Sequence, residues 1–160
     1  MRSQLYSAFF RRYNDMITFM KYINITTRCA NQYRSERLSG SDLNGCQCTY
    51  ILNICRNPGI SQDKLAHLIY INKSNVTRQL ISLEENGYIE RRTGNLDKRV
   101  VEVYPTQKSL DILPKVLLVL HEWNELLLED FTEAEKETLI SLLDRITNKA
   151  KSYADGIKKE

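Results

Sequence analysis

Apolar side chains recur every three to four residues along most of the chain, the spacing that places them on one face of an α-helix. Residues 5–23 follow this pattern and predict a first helix. The β-branched stretch at residues 23–27 lowers helix propensity, so a kink or break is expected near Asn24, before a polar segment that ends at Leu38. Residues 39–41 are Ser, Gly and Ser, and they predict a loop.

Three short helices are predicted next, and residues suited to helix ends mark their limits. Asn44 precedes the first and Ser61 the second, where their side chains can accept hydrogen bonds from unpaired backbone N–H groups. Gly87 ends the third, because glycine readily adopts the left-handed conformation found after a helix. The predicted ranges are residues 46–56, 62–70 and 74–86.

After the third helix the apolar period changes from 3.6 to 2. The change predicts a β-hairpin with strands at residues 88–92 and 99–104, in which Arg99, Val101 and Val103 share one face. Three helices followed by a β-hairpin is the order of a winged helix-turn-helix. The predicted fold class is therefore mainly α with a small β-hairpin wing.

Two long helices complete the pattern. Thr106 is a candidate N-cap for a helix over residues 107–130, which carries apolar residues on two faces and so needs a partner beyond its own domain. Pro114 should kink this helix unless the first turn absorbs the disruption. Thr132 and Glu135 have the spacing of a capping box and predict the start of the last helix.

Composition narrows the class of protein without assigning a function. The 160 residues are 42% apolar and 27% charged, which excludes a disordered chain. No apolar run approaches the roughly 20 residues of a membrane helix, and residues 1–4 do not resemble a signal peptide, so a cytoplasmic protein is expected. The net charge is +3, but residues 1–60 are basic and residues 106–160 are acidic, so the chain is polarised.

The outward positions of the third helix carry side chains that bind phosphates and base edges. Val76, Leu80 and Leu83 would face inward, which leaves a polar outer face with acidic residues only at its far end. A winged helix used for protein contact alone, the alternative interpretation, should instead expose apolar residues there. The outward residues are Lys73, Ser74, Asn75, Thr77, Arg78 and Gln79.

Together, these features resemble the MarR family of transcription regulators. The matching runs are residues 43–52, 61–66, 73–78, 83–92 and 97–99. The departures are Ser109, where many members have a glycine, Pro114 inside the helix that follows, and Cys46 and Cys48, where Pro and an aromatic residue are common. The resemblance implies a symmetric homodimer whose first and last two helices interleave. It divides the chain into a dimerisation helix and linker (1–40), a winged DNA-binding domain (41–105) and C-terminal dimerisation helices (106–160).

The resemblance also implies roles for individual residues on a pseudo-palindromic operator, with repression the expected outcome. Ser74, Asn75, Thr77 and Arg78 would meet bases and phosphates in the major groove. Arg99 would enter the minor groove, held by Asp97. Arg91 and Arg92 could contact DNA or remain charges on a strand edge. The expected DNA-binding set is Ser61, Gln62, Lys73, Ser74, Asn75, Thr77, Arg78, Gln79, Asp97, Lys98 and Arg99.

Many relatives in this family bind a small effector between the dimerisation helices and the winged domain. Candidate lining residues are Tyr13, Cys48, Tyr50, His121 and Trp123, although residues of these types more often belong simply to the core or an interface. Redox or metal sensing is an alternative on the same scaffold. The redox candidate is Cys29, whose pKa the neighbouring Arg28 could lower. For a metal, His121 and Glu125 lie one helical turn apart and Cys29 could join them, although a dedicated metal sensor would carry a denser set of ligands.

Enzymatic activity is not expected. The chain has no nucleophile elbow, phosphate-binding loop or paired-histidine motif. Its four cysteines and two histidines do not have the spacing of a metal site, so no metal or cofactor is expected. The four cysteines should be reduced thiols in the cytoplasm.

Overall fold

The computed structural model describes the backbone of residues 2–94 and 98–157 and the side chains of residues 19–94 and 98–156. The chain divides into two compact units, Met1–Cys48 and Thr49–Glu160. The mainly helical fold with a small antiparallel sheet confirms the predicted fold class. The elements are α1 (Arg2–Arg37), a 3₁₀ helix (Gly45–Gln47), α2 (Cys48–Arg56), β1 (Ile60–Ser61), α3 (Gln62–Leu68), α4 (Lys73–Glu85), β2 (Ile89–Thr93), β3 (Val101–Pro105), α5 (Gln107–Leu128) and α6 (Glu133–Ile157).

In the first unit, α1 runs without interruption from Arg2 to Arg37, so the break expected near Asn24 is wrong. The hydroxyl of Thr27 donates to the carbonyl oxygen of Ile23 at 2.9 Å, so this β-branched polar side chain is satisfied within the helix. Each β-branched residue costs a helix only about 0.5 kcal/mol relative to alanine, and a helix of 36 residues absorbs that cost.

The predicted N-cap at Asn44 is confirmed. Its side-chain oxygen accepts hydrogen bonds from the backbone N–H groups of Cys46 and Gln47 at 3.1 and 3.2 Å. The side chain of Gln47 accepts in return from the backbone N–H of Asn44 at 3.0 Å, which completes a capping box. The helical segment therefore begins at Gly45 with one 3₁₀ turn before α2.

The sheet of the second unit has the strand order β1-β3-β2, with both pairs antiparallel. Its short strand β1 is an addition to the predicted hairpin: Ile60 pairs with Val103 and Ser61 with Glu102. The return strand begins at Val101, so the prediction that Arg99 lies in it is wrong. Pairing between β2 and β3 reaches only to Val101, and Arg99 lies in the turn before it.

Helices α3 and α4 meet through the predicted apolar residues. Leu65 and Ala66 on α3 are buried, as are Val76, Leu80 and Leu83 on α4. The small side chain of Ala66 allows the close approach that two short crossing helices require. These residues confirm the inward face that the sequence predicted for the third helix.

The end of α4 adopts the motif that glycine favours. Gly87 has a φ of 73° and its N–H donates to the carbonyl oxygen of Glu84 at 2.9 Å. The N–H of Tyr88 donates to the carbonyl oxygen of Leu83 at 2.8 Å, so the arrangement is a Schellman motif. The predicted helix stop at Gly87 is confirmed.

The start of α5 is attached to the end of α4. Thr106 occupies the N-cap position, but its hydroxyl does not cap α5 as predicted; it donates to the carbonyl oxygens of Gly87 and Tyr88 at 2.7 and 3.0 Å. The buried hydroxyl of Ser109 also donates to the Tyr88 carbonyl, at 2.5 Å. A glycine at 109 could not make this contact, so the serine has a structural role.

Helices α5 and α6 carry much of their apolar surface outward. On α5, Val116 and Val119 of one predicted apolar face are buried, whereas Leu110 and Leu117 of the other are 44% and 42% exposed, so the second face lacks cover within the described residues. Pro114 lies within α5 without ending it. The predicted capping box before α6 is confirmed, because the Glu135 carboxylate accepts from the backbone N–H of Thr132 at 2.8 Å. No helix in the described part of the chain is long and apolar enough to cross a membrane.

Candidate nucleic-acid interface

The N-terminal half of α4 presents an exposed polar face. Asn72 caps the helix: its side-chain oxygen accepts from the backbone N–H of Asn75 at 2.8 Å and from the hydroxyl of Ser74 at 3.0 Å. Lys73, Ser74 and Arg78 are exposed, and Asn75 is half-buried. The first turn holds no acidic residue, so the positive end of the helix dipole is not neutralised there.

Two residues of the predicted DNA-binding set hold α3 against α4. The side-chain amide of Gln62 donates to the hydroxyl of Thr77 at 2.6 Å, and that hydroxyl donates to the carbonyl oxygen of Lys73 at 2.9 Å. Hydrogen bonds between neighbouring helices fix their relative orientation. Gln62 and Thr77 therefore have a positioning role in addition to any contact with a ligand.

Lys73 forms an ion pair on the surface. Its Nζ lies 2.8 Å from Oδ2 of Asp63, and the two side chains are 71% and 67% exposed. Pairs this exposed contribute little to stability, so Lys73 can exchange Asp63 for a phosphate at low cost.

The wing approaches the start of α3 at a small groove of about 210 Å³. Its lining comprises Ser61, Gln62 and Asp63 from the start of α3 and Arg99, Val100 and Val101 from the wing. Three of the residues predicted for DNA binding, taken from separate parts of the sequence, are thus brought together. Lys98 and Arg99 are exposed in the turn before β3, while Asp97 lies outside the described residues. Gln79 is half-buried on α4.

Arg91 and Arg92, both on β2, have acidic partners within the protein. The guanidinium of Arg91 donates to Oε2 of Glu84 at 2.8 and 2.5 Å, and it holds the pKa of that carboxyl below its usual value. Arg92 pairs with Glu90 at 2.7 Å and lies over the ring of Tyr104. These contacts assign Arg91 a structural role, which the sequence had left undecided.

The predicted effector residues occupy different environments. Cys48 and Tyr50 are buried, His121 is exposed and Trp123 is half-buried. The side chain of Tyr13 lies outside the described residues. Burial raises the pKa of the Cys48 thiol, which favours the unreactive protonated form. The assignment of these five residues to a pocket stays a prediction.

The four cysteines are free thiols. Cys29, the redox candidate, is exposed on α1, as is Cys46 at the start of the 3₁₀ helix. Cys55 is half-buried, and desolvation raises its pKa. Among the side chains described, no three His, Cys, Asp or Glu residues are grouped so that they could hold a metal ion.

The fold and this surface define a winged helix-turn-helix protein, and comparison with known proteins identifies its family. The model of the MarR family matches residues 44–101. The HTH-type transcriptional regulator YybA of Bacillus subtilis is 28% identical over 144 residues, which cover 90% of this chain and 96% of YybA.

Solved structures agree with the family match. A crystal structure of MarR is 31% identical, with a TM-score of 0.74 over 82% of this chain and 89% of that one. A MarR family regulator from Listeria monocytogenes, solved in complex with a 26mer DNA, is 26% identical, with a TM-score of 0.79 over 88% of this chain and 93% of that one. The chain belongs to the MarR family and is a transcriptional regulator.

Proposed function

We propose that this regulator binds double-stranded DNA as a homodimer, with one winged domain on each half of a pseudo-palindromic operator. In each subunit α4 would enter a major groove with its N-terminal end first, and α4 is called the recognition helix below. The observation that carries the proposal is the groove lined by Ser61, Gln62 and Arg99, next to a recognition helix whose first turn has no acidic residue.

The chemistry of this surface suits a duplex. Ser61 and Gln62 offer neutral polar groups to phosphate oxygens, and Arg99 offers a cation to a minor groove, where a narrow A·T tract has enhanced negative potential. On the recognition helix, Asn75 and Arg78 belong to the residue types that read adenine and guanine edges. The DNA-bound relative from Listeria monocytogenes supports the same partner for this chain.

The exposed apolar residues on α5 and α6 support the homodimer. An open groove of about 1180 Å³ runs along α6, where Leu142 and Ile146 are 47% and 41% exposed. A soluble protein rarely leaves a large contiguous apolar surface uncovered, and a second copy of the chain would bury it. We therefore keep the predicted division, with residues 1–40 and 106–160 for dimerisation and residues 41–105 for DNA binding, as part of this proposal.

We further propose that the protein is a cytoplasmic repressor and that a small effector releases it from DNA. The hydrogen bonds from Thr106 and Ser109 to the end of the recognition helix support this mechanism. Because α5 is fixed there, a shift of the dimerisation helices would carry both recognition helices with it. Displacement of the helices from adjacent major grooves, about 34–36 Å apart, would end binding.

Fluorescence anisotropy with a labelled duplex of mixed sequence tests the proposal. Between 50 and 200 mM salt, affinity should fall steeply as counterions return to the phosphates. A double variant, Arg78→Ala with Arg99→Ala, should reduce the slope of log affinity against log salt by about two. Light scattering should give twice the 18.7 kDa chain mass. Absence of salt-dependent binding would favour the protein-contact alternative.

A further inference from the structure

The turn between α3 and the recognition helix contains a tyrosine where glycine is usual. Tyr70 has a φ of 52°, in the left-handed region that disfavours residues with a Cβ. The N–H of Ile71 donates to the carbonyl oxygen of Ala66 at 3.1 Å, and that of Tyr70 to the carbonyl oxygen of His67 at 3.3 Å. This is the same Schellman motif that Gly87 forms at the end of the recognition helix.

The tyrosine side chain is anchored to the last helix. Its hydroxyl donates to Oδ2 of Asp155 on α6 at 3.2 Å, across 85 positions of sequence. The Nζ of Lys151, one turn earlier on α6, lies 5.6 Å from the centre of the Tyr70 ring. His67 on α3 is also near, with Nδ1 4.0 Å from Oδ1 of Asp155. Desolvation and the Asp155 hydrogen bond raise the pKa of Tyr70 above its ordinary value.

These contacts meet close to the start of the recognition helix. Tyr70 stands two residues before Asn72, the residue that caps this helix. A glycine at position 70 would adopt the turn without strain but could not reach α6. The strained backbone is therefore best explained by the side chain, which links the turn to a helix that the proposed homodimer uses for dimerisation.

We propose that Tyr70 is a positioning residue that, through Asp155, fixes the recognition helix relative to α6 and so sets the spacing of the two recognition helices in the dimer. The inference rests on the proposed function, because spacing matters only if a dimer binds two half-sites. The Tyr70 hydroxyl should then contribute to the affinity for a duplex with both half-sites and not to the affinity for a duplex with only one half-site.

The test compares two duplexes in fluorescence anisotropy: the operator selected by the protein from a random library, and the same duplex with one half-site scrambled. Tyr70→Phe should weaken binding to the full operator about 3- to 10-fold, the range expected for one hydrogen bond, and leave the single half-site unchanged. Asp155→Ala should do the same. The double variant should lose no more affinity for the full operator than whichever single variant binds it more weakly, because both changes break the same contact.

Asp144→Ala is the matched control, because it removes one carboxylate from α6 outside this contact and should bind like the wild-type protein. Equal weakening on both duplexes would overturn the inference, since Tyr70 would then only support the recognition helix itself. Unchanged binding to both would also overturn it. If the wild-type protein binds neither duplex, the proposed function itself fails, a result distinct from these two.

Discussion

Glu84 and Arg91 join the recognition helix to the wing. The Arg91 guanidinium donates to Oε2 of Glu84 at 2.8 and 2.5 Å, and the Arg91 backbone N–H donates to Oε1 at 3.1 Å. Glu84 lies in the last turn of α4 and Arg91 lies in β2. One carboxylate therefore fixes the direction in which the wing leaves the helix, and with it the place of the wing relative to any surface that the helix contacts.

Glu84→Gln should lower the free energy of unfolding by about 1 kcal/mol at pH 7, because a neutral amide replaces a charged acceptor at a partly exposed site. Arg91 lowers the folded-state pKa of Glu84. The stabilisation is therefore fully present above the unfolded-state pKa, about 4.3, and is lost as the pH falls through the lower folded-state value. Urea unfolding at pH 7 and at successively lower pH measures it.

The exposed neighbour Glu85 provides the control for this experiment. Glu85→Gln removes the same charge from the same helix end and should leave the unfolding free energy close to that of the wild type. A difference between Glu84→Gln and wild type that stays constant from pH 7 down to pH 3 would contradict the assigned ion pair.

Gly45 lies where the 3₁₀ helix meets α1. A Cβ on this residue would clash with the carbonyl oxygen of Asn31, a backbone atom that cannot move aside alone. Gly45→Ala should therefore cost about 1–3 kcal/mol of stability by overpacking, as measured by denaturant unfolding. Gly156→Ala on α6, where nothing lies within 4 Å, should cost nothing or stabilise slightly. Equal effects of the two substitutions would refute this packing.

Arg99→Ala should weaken DNA binding about 10- to 100-fold while the dimer mass stays unchanged in light scattering. The loss reflects a cation removed from the groove shared with Ser61 and Gln62. Lys136→Ala removes one positive charge from the start of α6, where Lys136 is half-buried and pairs with Glu133, and should bind almost as the wild type does. If the Arg99→Ala variant binds DNA with unchanged affinity, the wing does not contribute to the DNA interface.

Local signals in the sequence predicted most of the fold. The caps at Asn44 and Ser61 and the inward face that includes Val76 depend on neighbours within four residues, and the structure confirms them. The break near Asn24 was wrong because weak propensities at a few positions do not interrupt a long helix. Helix propensity alone therefore predicted a break in α1 that the continuous backbone hydrogen bonds of the helix prevent.

The features that the sequence did not reveal depend on distant partners. Strand β1 has only two residues, too few for a period, and it exists because Ile60 pairs with Val103. Tyr70 and Asp155 are 85 positions apart, and no local pattern links them. The one accessible signal was Tyr70 itself, an aromatic residue between two short helices where a glycine or asparagine would suit the turn.

Selection of duplexes from a random-sequence library by the purified full chain tests whether the protein is a dimeric, operator-binding regulator. We expect enrichment of an inverted repeat whose half-sites are centred about 10 base pairs apart, one per recognition helix, and weaker retention of these duplexes by the Arg99→Ala variant. Enrichment of no sequence, or of an unpaired motif bound by a single chain, would contradict a dimeric operator-binding regulator.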